Sequence, residues 1–235
     1  MSDKAREGSS VSMKHIVVDL EMNEISRKYR KEKAVCKMEI IEIGAVLLDE
    51  NYTEIGHFKT LVKPQYNEVI EPMYERITGI TTEMVENAPV FADGLQMFLS
   101  WCRSVHDDIQ LYQWSDSDLL QITKELNLKK VTLSEAEQNL LVEWNDFQKE
   151  YGDKLMLQRQ VSLKNAIMYA GLDFEGTEHD ALCDARNTGT LLRIIRNPEL
   201  CKEALDKVIE IMTPKTLSAT LGDLFNFDEL FEALV

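Results

Sequence analysis

The sequence predicts an α/β domain built on a mixed sheet, three antiparallel strands followed by parallel ones, with helices on its flanks. Three observations carry this. Residues 14–22 (KHIVVDLEM), 38–49 (MEIIEIGAVLLD) and 54–63 (EIGHFKTLVK) are consecutive β-branched, alternating segments, which is the pattern of an antiparallel meander. Beyond Pro64 the pattern changes to strand and helix in alternation, which requires parallel pairing. At 235 residues the chain buries one full core, and nothing in it suggests a second.

Taken in order, the meander is followed by a loop with a short helix after ITGITTEMVE. FADGLQMFLSWCRSV has helical spacing from Leu95 through Phe98, Leu99 and Cys102. DIQLYQW reads as a strand and SDLLQITKELN as the helix after it. Further helices are predicted at 135–150, at 162–171 with Gly171 as its C-terminal stop, at 180–196 and at 198–212. This divides the chain into a flexible N-terminal segment 1–13, a domain 14–212, and an acidic, aromatic tail 213–235 whose Phe225, Phe227, Leu230, Phe231 and Leu234 form an apolar stripe suited to a protein partner or to packing on its own domain.

No apolar run is long enough to span a membrane, and the first dozen residues lack the apolar stretch of a signal peptide, so a cytoplasmic protein is expected. Cys36, Cys102, Cys183 and Cys201 show no C-x-x-C spacing, which argues against a zinc site or a disulfide framework. The formal net charge of −15 excludes binding of nucleic acid by a broad basic surface. It leaves room for an enzyme that meets phosphates through bound cations, since divalent ions reverse the local sign of a carboxylate cluster.

The chemistry lies in two places far apart in sequence. In HIVVDLEM the two-residue period of a strand puts Val17, Asp19 and Glu21 on one face and Val18, Leu20 and Met22 on the other, so both carboxylates point the same way. In TEHDALCDARNTGTLL, Asp184 sits among Ala181, Leu182, Ala185, Leu191 and Leu192 on a helix and faces inward, where a buried carboxylate needs a charged partner. His179 lies five positions earlier, about 140° away on a helical wheel, and so belongs to the loop before the helix, reaching over the site. Thr177-x-x-Asp180 fits the helix start. QWSDSDLLQI offers two more acids, Asp116 and Asp118; Asp118 is preferred because it falls in the first helical turn, with Leu119 and Ile122 packing inward.

These segments together resemble a known family. VVDLEMNE, IIEIGAV, ITGIT, QWSDSDLL and HDALCDARNT, spanning residues 14 to about 196, are similar to the motifs of DEDDh 3′-to-5′ exonucleases of the DnaQ-like, RNase H-fold superfamily. The long insert after Glu21 is closest to the histone-mRNA 3′-exonuclease and KapD-like branch. The second motif departs from the pattern, with Trp114 and Ser117 where many relatives carry an upstream Asn and a Phe directly before the Asp.

The resemblance implies an RNase H-like sheet in which Asp19, Glu21, Asp118 and Asp184 hold two divalent cations, Mg²⁺ or Mn²⁺, about 4 Å apart. His179 would then be the general base, an imidazole of ordinary pKa near 6.5 suiting neutral pH. Met22 and Ile80 would touch the terminal nucleotide, their other reading being ordinary core side chains. Independently of the resemblance, the basic run RKYRKEK, residues 27–33, follows the strand that ends after Glu21, a position that suits Arg27 and Lys28 to the phosphate backbone as well as to an ordinary solvated face, with Tyr29 offering a stacking face. Trp114 reads as core. The expected activity is 3′-to-5′ hydrolysis of single-stranded nucleic acid to nucleoside 5′-monophosphates, RNA ahead of DNA. Two alternatives are a phosphodiesterase for short oligonucleotides and a non-catalytic nucleic-acid-binding protein of the same fold.

Overall fold

The computed structural model describes residues 12–212 except 158; the C-terminal tail, with its apolar stripe, lies outside the described residues. The three predicted meander strands are β1 (Met13–Glu24), β2 (Met38–Leu48) and β3 (Glu54–Leu61). With β4 (Asp108–Gln113) and the two-residue β5 (Asn145–Asp146) they form one sheet in the order β3-β2-β1-β4-β5. The β1/β2 and β2/β3 pairs are antiparallel, while β1/β4 and β4/β5 are parallel. Centrally placed β1 is buried on both faces, with Ile16 and Val17 fully inaccessible.

Each face of the sheet has its own core, sorted by the strand period. Ile16, Val18 and Leu20 of β1 join Ile43 and Ala45 of β2 beneath α4 (Phe91–Arg103) and α5 (Ser117–Lys129), whose Phe91, Leu95, Phe98, Leu99 and Ile122 are fully buried. Val17, Val46, Leu48 and Tyr112 face the other way, toward α7 (Phe147–Lys154), α8 (Leu163–Tyr169), α9 (Ala181–Arg196) and α10 (Pro198–Met212). Asp19 and Glu21 share the parity of Val17 and so lie on the α9 side.

Two expectations need correction. The predicted helix at 135–150 is broken: α6 (Glu135–Leu140) ends early, and the chain runs extended through β5 before α7 begins. An N-cap at each helix start, Ser134 just ahead of the run and Asp146 inside it, accounts for two short helices in place of one. Ser134 and Glu137 form a reciprocal capping box, and the Asp146 side chain accepts from Lys149 N. Between them, Trp144 turns inward against Phe98. The loop after β3 contains a helix that was not anticipated, α2 (Pro72–Thr78), started by Pro72 and stopped by Gly79 at φ 71°. The short helix near ITGITTEMVE lies within that segment, as α3 (Thr82–Val85). Among the described residues no helix is long and apolar enough to cross a membrane.

Candidate active site

β1 contributes two carboxylates because its pairing stays regular through Glu21, which faces Glu42 of β2; only after that does the register shift, Met22 facing Ile40. α5 contributes Asp118 in its first turn. Its start is held by Gln113 at the end of β4, whose Oε1 accepts from Leu119 N at 2.9 Å. Asp118 is buried, whereas Asp116 is exposed at the N-cap and makes no capping bond.

α9 contributes Asp184, and its N-terminus is seated unusually close to the sheet. Gly44 of β2 stands opposite Asp19, and a Cβ there would lie 2.3 Å from both Ala181 C and Leu182 N. Only glycine permits this approach. Beside it the buried Glu42 accepts from Ala181 N at 2.9 Å and pairs with Lys59 of β3 at 3.2 Å. Lys59 also bonds Asp180 at 2.5 Å, and Asp180 caps the helix by accepting from Leu182 N and Cys183 N. The side-chain cap is therefore Asp180 and not Thr177, whose carbonyl only receives Asp180 N at 3.4 Å. Gly44→Ala should force these backbones apart, costing about 3 kcal/mol or more and lowering the melting temperature by roughly 6–12 °C. A wild-type thermal transition would show that α9 does not rest on β2 at this point.

The loop before α9 is pinned by Asn187, which accepts from Glu175 N at 3.0 Å and donates to Glu175 O at 2.9 Å. It ends at His179, exposed and in the left-handed region at φ 63°, with its backbone N–H directed at Asp184 Oδ2, 3.3 Å away.

Asp19, Glu21, Asp118, His179 and Asp184 line one open cleft of about 300 Å³, bounded also by Met22, Trp114 and Leu163. Ligand atoms of Glu21, His179 and Asp184 lie within 4.8 Å of one another. Ile80 is not at this cleft; it packs with Ile41, Ile70 and Val85 in a small core of its own. Arg27 and Lys28 are exposed beyond the end of β1. Glu42, Gly44 and Lys59 went unremarked in the sequence, and Asp180 entered only through the Thr177-x-x-Asp180 pattern. A glycine inside an apolar strand and an acid directly before a helix were the available signals.

The acids are in electrostatic conflict. Burial first, then Asp118 and Asp184, raises Asp19 well above the ordinary carboxylate range. Burial followed by Asp184 pushes Glu21 up to about 9. Burial and Asp184 raise Asp118, and burial raises Asp184 despite the hydrogen bond from His179 N–H. Asp184 Oδ1 is buried with no hydrogen-bond partner. A set of hard oxygen donors with an orphaned buried oxygen fits a divalent cation such as Mg²⁺ or Mn²⁺.

A pH dependence follows. Between the ordinary carboxylate range and about pH 9 the folded, metal-free protein binds more protons than the unfolded chain. Its stability is fully present at the acid end of that window and falls as pH rises. Thermal melts in EDTA from pH 5 to 9 should show this decline. Mg²⁺ or Mn²⁺ should reverse it with release of protons. A flat profile, unchanged by metal, would contradict the carboxylate cluster.

The exonuclease family model RNase_T matches residues 16–192. The chain is 31% identical over 182 residues to ERI1 exoribonuclease 2 of Danio rerio, covering 68% of this chain and 32% of that protein. It is 28% identical over 227 residues to ERI1 exoribonuclease 2 of Mus musculus, covering 88% and 32%. It thus spans about a third of the length of these curated relatives. Among solved structures, the fold matches the nuclease domain of 3′hExo, a DEDDh family member, bound to rAMP, with a TM-score of 0.66 at 21% identity over 79% of this chain and 92% of that one.

Proposed function

We propose, from the premise that this chain belongs to the RNase_T exonuclease family, that it removes nucleoside 5′-monophosphates from the 3′ end of single-stranded nucleic acid, RNA ahead of DNA. The observation that carries this reading is the convergence of four carboxylates from β1, α5 and α9 in one cleft with His179. Asp19, Glu21, Asp118 and Asp184 would hold two ions, Mg²⁺ or Mn²⁺. When bound, such ions neutralise charge on the phosphoryl oxygens and favour ionisation of water. His179 takes the proton of the attacking water from its loop above the cleft. Met22 flanks the terminal nucleotide, and Arg27 and Lys28 meet phosphates further along the chain. The preference for RNA rests on relatives named as exoribonucleases.

The net charge of −15 supports a second reading, an enzyme for very short oligonucleotides that needs little basic surface. Digestion of 5′-labelled single-stranded RNA and DNA with Mg²⁺, Mn²⁺ or EDTA separates the possibilities. Stepwise shortening of the labelled strand, blocked by EDTA, is expected. Products from internal cuts, or no hydrolysis with either metal, would overturn the assignment, and cleavage confined to the shortest substrates would select the second reading.

A further inference from the structure

We propose that Tyr29 and Tyr66 form a second subsite, on which bases of a single-stranded substrate stack while its end occupies the cleft. The inference rests on the nuclease reading and deepens it: the substrate is a chain of several nucleotides.

Tyr29 stands just before the short helix α1 (Arg30–Val35), which buries none of its residues. Its ring meets that of Tyr66 edge to face, with centroids 5.3 Å apart and planes at 73°. Both tyrosines are only partly buried. The Lys28 ammonium lies 4.9 Å from the Tyr29 centroid, and Arg27, Arg30 and Lys31 are exposed beside it. Partly exposed aromatic rings interleaved with cations are what a single strand requires: a π-face for any base and positive charge for its phosphates. In a protein of net charge −15 this is the densest basic run, and it leaves directly from the strand that carries Asp19 and Glu21.

The platform is rigidly founded. The main-chain N–H groups of Gln65, Tyr66 and Asn67 all donate to the Glu39 carboxylate, at 2.8, 2.7 and 3.1 Å. Glu39 is fully buried and paired with Lys129 of α5 at 2.9 Å. Asn67 also donates to Glu24 O at 3.0 Å, tying this loop to the end of β1. Glu24 is three residues past Glu21, about 10 Å along the strand. On this proposal a dinucleotide held at the cleft stops short of the tyrosines, whereas a longer strand reaches them.

The test compares wild type with Tyr29→Leu and Tyr66→Leu, on a dinucleotide and on an unstructured RNA decanucleotide. KM for the decanucleotide should rise ~10-fold or more in each variant, with kcat and all dinucleotide kinetics unchanged, and Tyr29→Trp should restore it. Equal losses on both substrates, or no change on the longer one, would overturn the subsite. Binding of the labelled decanucleotide in EDTA reads the subsite without turnover: weaker binding by the leucine variants supports it even if wild type cuts nothing, and unchanged binding removes it.

Discussion

Asp118→Asn is expected to bring hydrolysis below detection while raising the metal-free melting temperature, and Asp116→Asn to change neither. Asp118 is buried against Asp19 and Asp184, so its charge serves only when a cation is present to oppose it. An amide removes a ligand charge and relieves the repulsion together. Asp116 sits exposed at the start of α5 and caps nothing. Turnover and thermal melts in EDTA for both variants check the pair. If Asp116→Asn proves the silent enzyme, the register of QWSDSDLL is off by two residues.

His179→Ala is expected to lower turnover by roughly 10²–10⁴ at saturating Mg²⁺, the range for loss of a general base, with metal affinity little changed. The four carboxylates remain in the variant, so the ions keep their ligands. The competing outcome is specific, because a ligand atom of His179 lies within 4.8 Å of those of Glu21 and Asp184. A large fall in Mg²⁺ or Mn²⁺ affinity, with turnover restored at high metal concentration, would make His179 a ligand and remove it as base.

Much of this arrangement was legible before any coordinates. The strand period alone put Asp19 and Glu21 on one face, and helix register alone separated Asp118 from Asp116. What escaped was whatever depends on distant contacts. Nothing near Gly44 in sequence reveals that the start of α9, well over a hundred residues later, rests upon it. The Glu42–Lys59–Asp180 network forms only because β3 and α9 meet across β2, which no local pattern announces. The helix predicted at 135–150 failed for a local reason, since apolar spacing outweighed the capping signal at Asp146 within the run. Ile80 was placed by resemblance, and its own burial against Ile41, Ile70 and Val85 puts it in a small core instead of the cleft lining.

The left-handed backbone at His179 sets stability against activity at a single position. A residue with a Cβ held at φ 63° sacrifices roughly 1–2 kcal/mol that glycine keeps. His179→Gly is thus expected to melt higher than His179→Ala, and no lower than wild type, while being equally inactive. The imidazole over the cleft is carried at a backbone conformation that glycine would occupy at lower cost. Comparing the melting temperatures of the three proteins in EDTA reads that cost directly.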